Sequence, residues 1–227
     1  MVVGNGLVAK KFEEYANNDS FLIFASGVSN SKSTIQAEYT REVDLLKYVS
    51  NENKEKTLIY FSTCSVKDPE ENKSAYVAHK KSIEDYIISS TLNYTIFRVS
   101  NLVGKSANPN TILNFIANSV CNNTHFNLWL NASRNLIDVD DFFLITDHIL
   151  KNKLFLNSIV NVAYPENYAV SEIVRAVEKY FNKTANYTSI PKGCNFSIDI
   201  SQIASLLHQL NLNFNKNYLE LLLSKYY

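Results

Sequence analysis

The segment Met1-Val2-Val3-Gly4-Asn5-Gly6-Leu7-Val8-Ala9 decides the predicted fold, because a strand, a glycine turn and a helix follow one another within it. In this GxGxxA pattern, Gly4 makes a tight turn and Gly6 lets the backbone approach a pyrophosphate. The small side chain of Ala9 lets the helix pack against the strand. The free N–H groups of the first helical turn would then face the phosphates. The structural alternative is an ordinary strand–helix turn, which also favours glycine.

Short apolar runs alternate with helical stretches along the rest of the chain. The predicted strands are Met1–Gly4, Ser20–Ala25, Thr57–Ser62, Tyr94–Arg98, His125–Leu130 and Ile159–Ala163. The predicted helices are Leu7–Asn17, Thr34–Val49, Ala75–Ser90, Thr111–Val120, Asp140–Leu150 and Val170–Phe181. Continuous apolar strands are typical of parallel sheets buried on both faces, so we expect a Rossmann-like, doubly wound α/β fold. The polar stretch Ser106–Asn110 predicts a boundary between a cofactor-binding domain (1–105) and a smaller substrate-binding lobe (106–227) that partly completes the sheet.

Charge, hydropathy and cysteine content narrow the function classes. Lys and Arg total 22, as do Asp and Glu, so no excess of positive charge favours nucleic acid as a partner. No apolar run reaches the roughly 18–20 residues that span a bilayer. The N-terminus also lacks the pattern of a secretory signal, so we expect a cytoplasmic protein without a membrane partner. The three cysteines (Cys64, Cys121 and Cys194) and four histidines form neither a disulfide framework nor a metal-site pattern.

A hydroxyl, a phenol and an ammonium group form the strongest chemical signal. Thr63 ends the third predicted strand, and thirteen residues later the next predicted helix carries Tyr76 and Lys80. Positions i and i+4 share a helix face, so Tyr76 and Lys80 can face one ligand. A neighbouring ammonium lowers the pKa of a phenol, which would let Tyr76 exchange a proton with a substrate oxygen that Thr63 also holds. The alternative is a solvent-facing Tyr/Lys pair on an ordinary helix.

Together these motifs resemble the extended short-chain dehydrogenase/reductase superfamily, whose members include NAD-dependent epimerases, dehydratases and reductases of sugar nucleotides. The segment Arg98-Val99-Ser100-Asn101-Leu102-Val103-Gly104 resembles the Arg-x-x-Asn-x-x-Gly of this branch. The segment Arg134-Asn135-Leu136-Ile137-Asp138-Val139-Asp140-Asp141 resembles its Arg-Asp-aromatic-Ile-His-Val-x-Asp segment. The resemblance implies NAD or NADP as cofactor, a sugar-nucleotide substrate and a role in surface-polysaccharide precursor synthesis.

The resemblance also implies a role for each matching residue. Thr63, Tyr76 and Lys80 match the catalytic set, with Lys80 also holding the nicotinamide ribose. Asn101 and Arg134 match residues that contact the nucleotide diphosphate of the substrate, although a turn-forming Asn and a solvated Arg are the structural alternatives. The residues that match the cofactor-binding positions are Gly4, Asn5, Gly6, Leu7, Ala9, Ala25, Gly27 and Lys80.

The chain departs from this family pattern after the first helix. The family continues with two more strands and a helix, which carry the residue that recognises the adenosine ribose. Here the predicted helix Leu7–Asn17 runs almost directly into the strand Ser20–Ala25. We therefore expect a sheet that lacks the usual second and third strands, with weakened adenine contacts. The first strand would become an exposed edge, which favours a homodimer.

A second departure lies beside Thr63. Cys64 and Ser65 occupy the positions where sugar-nucleotide 4,6-dehydratases carry an Asp-Glu pair, so dehydration is disfavoured. Reduction and epimerisation at a sugar carbon both remain open, and Cys64 is expected to be a buried, inert thiol. Two hypotheses follow. One is an NAD(P)-dependent sugar-nucleotide reductase or epimerase, and the other is a binding or regulatory protein that has lost normal dinucleotide binding and has little or no catalytic activity.

Overall fold

A computed structural model describes residues 1–90, 92–212 and 214–227. Its strands are β1 (Val2–Val3), β2 (Phe21–Phe24), β3 (Thr57–Thr63), β4 (Tyr94–Val99), β5 (Asn101–Val103), β6 (Phe126–Trp129), β7 (Ser133–Arg134), β8 (Leu136–Asp138), β9 (Ser158–Val162), β10 (Tyr168–Ala169) and β11 (Tyr187–Ile190). Its α-helices are α1 (Leu7–Lys11), α2 (Gln36–Asn51), α3 (Ala75–Ser89), α4 (Ile112–Cys121), α5 (Val139–Lys151), α6 (Val170–Phe181), α7 (Ala204–Gln209) and α8 (Tyr218–Tyr226).

The central sheet contains five parallel strands in the order β1-β2-β3-β4-β9. One row of paired residues crosses it from edge to edge and consists of Val3, Phe24, Tyr60, Ile96 and Ile159. All five side chains belong to one hydrophobic cluster. Because successive residues of a strand face opposite sides, the neighbouring positions supply the cluster on the other face.

Helices cover both faces of this sheet, which is the doubly wound arrangement that the apolar strands predict. On one face, α2 and α3 pack through Leu46, Val49, Ile83 and Ile87. On the other face, α1 and α5 lie against the strands, and Phe12 just after α1 is fully buried. The α/β fold class predicted from the sequence is therefore confirmed.

The second half of the chain builds a further core around α4, α6 and α8. Three two-stranded sheets border it, namely β5 with β8, β6 with β11, and β7 with β10. Two elements of the same half belong to the first core: β9 is the last strand of the central sheet, and α5 packs against one face of that sheet. The exact domain boundary at residues 105 and 106 stays a prediction. No helix among the described residues is long and apolar enough to cross a membrane.

Some element bounds differ from the predicted ones. The predicted helix Leu7–Asn17 ends at Lys11 and gives way to the 3₁₀ turn Glu13–Tyr15. Phe12 and Tyr15 are both buried at this point, so contacts with the sheet replace helical periodicity there. The predicted strand His125–Leu130 spans Phe126–Trp129 and pairs with β11, not with the central sheet.

The connection between the 3₁₀ turn Glu13–Tyr15 and β2 is short. Only residues 16–20 join the two elements. β1 pairs with β2, and no other strand of the described residues pairs with β1. The sheet thus has no strands in the place of the usual second and third ones, as the sequence predicts.

Candidate active site

A cavity of about 610 Å³ lies over the carboxyl ends of the central strands. The loops after β1, β2, β3 and β4 contribute to its lining, together with segments around Arg134 and Phe196. This edge is where ligands bind in open α/β sheets. The sequence-predicted residues that line the cavity are Asn5, Gly6, Leu7, Ala25, Gly27, Thr63, Tyr76, Lys80, Asn101 and Arg134.

The first turn has the backbone shape that its glycines allow. Gly4 has a φ of +130°, and a Cβ atom there would overlap the carbonyl oxygen of Ala25. At Gly6 an added Cβ atom would meet nothing within 4 Å, so the backbone is open to close approach from the cavity. Ala9 is buried and does not line the cavity, which suits a packing position. Gly4 likewise lies outside the lining and acts through the shape of the turn.

Thr63 and Tyr76 come together where β3 ends and α3 begins. Thr63 accepts a hydrogen bond from the Ser65 amide at 3.1 Å, which starts a short 3₁₀ turn. Ser74 caps α3 by accepting from the Val77 amide at 3.2 Å, and this cap fixes Tyr76 in the first helical turn. The Thr63 and Tyr76 side chains both line the cavity, and a hydrogen-bond interaction with Thr63 lowers the pKa of Tyr76. The sequence-predicted hydroxyl and phenol can therefore contact one ligand oxygen.

Lys80 has a partner that sequence reasoning missed. Its Nζ donates to Oε1 of Glu42 at 2.9 Å and to the Tyr60 hydroxyl at 3.1 Å. The Lys80 side chain is 3% exposed and the Glu42 side chain 0%. Oε1 of Glu42 also accepts from Tyr60 at 2.7 Å, while Oε2 accepts from the Val28 amide at 2.7 Å and contacts His79 Nε2 at 3.0 Å. One buried carboxylate thus joins β3, α3 and the segment after β2.

This ion pair changes the electrostatics that the sequence predicts for Tyr76. Partial burial raises the pKa of Tyr76, and the Glu42 carboxylate raises it further, whereas the contact with Thr63 lowers it. The expectation that Lys80 lowers the pKa of Tyr76 is not met in this structure, where burial and the Glu42 carboxylate outweigh the lowering effect of Thr63. The signal that could have identified Glu42 is its position on the buried stripe of α2, between Tyr39 and Leu46.

Gly27 lies against the same Glu42–Lys80 ion pair. An added Cβ atom at Gly27 would lie 2.6 Å from Lys80 Nζ and 2.9 Å from Glu42 Oε1. A larger residue would therefore push the ion pair apart. The glycine lets the segment after β2 pass close to α3, which places Ala25, Gly27 and Lys80 on one wall of the cavity.

Asn101 and Arg134 line another part of the cavity. The Asn101 amide group donates to the backbone oxygen of Asn135 at 2.8 Å, and Arg134 Nη1 donates to the Ser133 oxygen at 2.7 Å. Asn135 is buried and bonds Tyr164 through both its carboxamide oxygen and its carboxamide nitrogen. Arg134 forms no ion pair with a carboxylate among the described residues, so its charge is available to an anion in the cavity.

Cys64 is buried directly beneath the site. Burial raises the pKa of its thiol to about 12, and its Sγ donates to the Arg98 backbone oxygen at 3.2 Å. A thiol in this state is a poor acid or base near neutral pH. In the described part of the chain, no group of three or more His, Cys, Asp or Glu side chains has the arrangement of a metal site.

The cavity also offers unpaired polar groups. The hydroxyls of Ser62 and Ser100, at the ends of β3 and β4, lack a hydrogen-bond partner among the described residues. Buried polar groups are normally paired, so these hydroxyls fit a ligand that supplies the missing partners. With the open backbone at Gly6, they suit the pyrophosphate and nicotinamide portions of the cofactor that the sequence resemblance implies.

Structural comparison places several nucleotide-sugar enzymes beside this chain. A UDP-glucose 4-epimerase from Thermus thermophilus in complex with NAD has a TM-score of 0.66 at 17% identity, covering 88% of this chain and 74% of that one. A UDP-N-acetylglucosamine 4-epimerase from Methanobrevibacter ruminantium M1, in complex with UDP-N-acetylmuramic acid, gives 0.68 at 16% identity, with 91% and 75% covered. A dTDP-glucose 4,6-dehydratase from Bacillus anthracis str. Ames in complex with NAD gives 0.67 at 15%, with 89% and 72% covered. These similarities show the fold.

Sequence comparison gives the family. A search of curated proteins finds no match. Residues 23–163, more than half of the 227-residue chain, match the NAD dependent epimerase/dehydratase family. This segment runs from β2 to the end of β9 and includes Thr63, Tyr76 and Lys80. The chain therefore belongs to the NAD-dependent epimerase/dehydratase family.

Proposed function

We propose that this chain transfers a hydride at a hydroxyl-bearing carbon of a sugar nucleotide, as an NAD(P)-dependent reductase or epimerase. One observation carries the proposal: a single cavity brings together the glycine turn, the Thr63–Tyr76 pair and Arg134. The bound nicotinamide would supply or accept the hydride. A place in surface-polysaccharide precursor synthesis forms part of the same proposal.

Each residue of the cofactor side has a physical role. The backbone around Gly6 would hold the pyrophosphate, and Lys80 would hold the nicotinamide ribose. Tyr76 would move a proton between its phenol oxygen and the reacting sugar oxygen, which Thr63 holds by a hydrogen bond. Because the pKa of Tyr76 is raised, the phenol is protonated at neutral pH. The resting site is therefore ready to donate a proton, as reduction of a keto group requires.

The substrate side supports a nucleotide diphosphate. Arg134 presents a guanidinium group without a carboxylate partner among the described residues, and such a group binds phosphate oxygens in pairs. Asn101 lies exposed beside it. Cys64 and Ser65 provide no carboxylate pair for removal of water, so reduction or epimerisation is preferred over dehydration.

The second candidate is a binding or regulatory protein with little or no catalysis. The Glu42–Lys80 pair is the observation that favours it, because the ammonium is held by a carboxylate. Under this alternative the cavity binds a sugar nucleotide, and Tyr76 moves no proton.

The variant Tyr76→Phe distinguishes the two candidates. The wild-type protein is assayed with NADH and NADPH against a panel of keto and non-keto UDP- and dTDP-sugars, and binding is measured in parallel by calorimetry. We expect the variant to lose nearly all turnover and to keep ligand binding, since only the phenol oxygen is removed. Tyr86→Phe, on the same helix but outside the cavity, is the matched control. Sugar-nucleotide binding without cofactor binding or turnover in the wild type would support the second candidate.

A further inference from the structure

A second guanidinium group borders the cavity at its cofactor end. Arg41 lies on α2, where it is exposed, and it is part of the cavity lining. It forms no ion pair with a carboxylate among the described residues. The family motifs do not include this side chain.

The position of Arg41 is fixed by Ser26. Its Nη2 donates to the Ser26 backbone oxygen at 2.9 Å, and its Nη1 donates to the Ser26 hydroxyl at 3.1 Å. The amide nitrogen of Ser26 would in turn lie 3.1 Å from a Cβ atom added at Gly4. The guanidinium is therefore anchored to a residue that lies against the glycine turn. Each of these two nitrogens has a second N–H that can bind an anion.

Among the described residues, no comparable group borders the place where an adenosine would lie. A dinucleotide normally crosses from one half of a doubly wound sheet to the other, and the half beyond the first strand holds the adenosine. Here β1 is an edge, and none of the residues from 9 to 23 lines the cavity. The described chain thus offers a positive charge at the phosphate and no surface for the adenosine.

We propose that Arg41 binds the phosphate of the nicotinamide mononucleotide half of the cofactor and that the site does not recognise adenosine. This inference rests on the proposed function, because it assumes that a nicotinamide enters the cavity. It predicts that reduced nicotinamide mononucleotide binds about as tightly as NADH.

The test is a pair of binding titrations that follow the fluorescence of the dihydronicotinamide ring. We expect the dissociation constants of NADH and of reduced nicotinamide mononucleotide to agree within about threefold. Adenosine, which carries no phosphate that Arg41 could bind, should displace neither ligand. Arg41→Gln should weaken both by about tenfold or more, and Arg41→Lys, which keeps the charge, should weaken them less. Arg175→Gln is the control, since Arg175 is exposed on α6 outside the cavity.

Two results would overturn the inference while leaving the proposed function intact. One is binding of NADH at least about tenfold tighter than the mononucleotide, with competition by adenosine, which would mean that another copy or another segment supplies an adenosine site. The other is unchanged binding by Arg41→Gln. If neither nicotinamide compound binds, the proposed function fails, and the inference fails with it.

Discussion

Glu42 accepts hydrogen bonds from three parts of the fold that border the cavity. Burial opposes its ionisation, but the Lys80 ammonium and the hydrogen bonds from Val28, Lys80 and Tyr60 outweigh this effect and hold the pKa of Glu42 below its ordinary value of 4.5. A carboxylate can accept about four hydrogen bonds. Glu42 uses this capacity fully, because the Val28 amide, His79, Lys80 and Tyr60 all contact its two oxygens.

We expect Glu42→Gln to lower the free energy of unfolding by about 3 kcal/mol near neutral pH, because the buried Lys80 loses its counter-charge. The sign of the pH dependence follows from the lowered pKa. The contribution of Glu42 is complete above pH 4.5 and is lost as the pH falls through the lower pKa of the folded state. Urea unfolding of wild type and variant should therefore show a difference that narrows below pH 4.5.

The control for this prediction is Asp44→Asn, which removes one charge from an exposed position on the same helix. Its effect should be within about 0.5 kcal/mol. An equal loss of stability in both variants would show that the net charge of α2, and not the buried Glu42–Lys80 pair, determines the change in the free energy of unfolding.

At the scale of the element, the two glycines of the turn from β1 to α1 have different roles. Gly4 is needed for backbone shape, since it has a positive φ and a Cβ atom there would overlap the Ala25 carbonyl group. Gly6 precedes α1 with a φ of −76°, which other residues adopt readily. Gly6 matters because an added Cβ atom would meet nothing within 4 Å, so a ligand can approach the backbone closely.

Gly4→Ala should therefore affect mainly the stability of the fold, and Gly6→Ala mainly the binding of NADH. Gly4→Ala should lower the free energy of unfolding by about 1–3 kcal/mol or more, because the strained φ and the overlap with Ala25 act together. Gly6→Ala should cost less than about 1 kcal/mol and yet weaken NADH binding, since the new methyl group enters the path of the ligand. Thermal unfolding and NADH titration measure the two effects. Equal stability of both variants would contradict the assignment of Gly4 to the turn.

At the scale of the whole molecule, the sheet ends at β1, which pairs on one side only among the described residues. Ile23 and Ala25 donate to the backbone oxygens of Met1 and Val3. The register pairs Val2 with Ile23, so the N–H and C=O groups of Val2 point away from β2. An edge of this kind can pair with another chain.

We propose that this edge contributes to a homodimer, and light scattering at micromolar concentration tests it. Val2→Pro removes the outward N–H without removing a hydrogen bond to β2, so it should shift the protein towards the monomer. Circular dichroism should show that the fold is retained. A monodisperse wild-type monomer would contradict the proposal.

Local sequence patterns determined most of the fold, and the reason is that they depend on spacing alone. Apolar runs predicted the central strands. The short connection between the first helix and the strand Phe21–Phe24 predicted that the sheet lacks the usual second and third strands. The order of the glycine turn, Thr63, Tyr76 and Lys80 identified the family that residues 23–163 match. Strands of two or three residues, such as β7 and β10, carry no periodic signal and were not predicted.

Only the tertiary structure decided how the charged groups of the site are paired. Glu42 and Lys80 are 38 positions apart, and they meet because α2 and α3 pack side by side on one face of the sheet. Likewise, Arg41 and Ser26 are 15 positions apart, and they meet only in the folded chain. The spacing of residues determines which face of an element a side chain occupies, whereas the partner of a buried charge depends on how separate elements align.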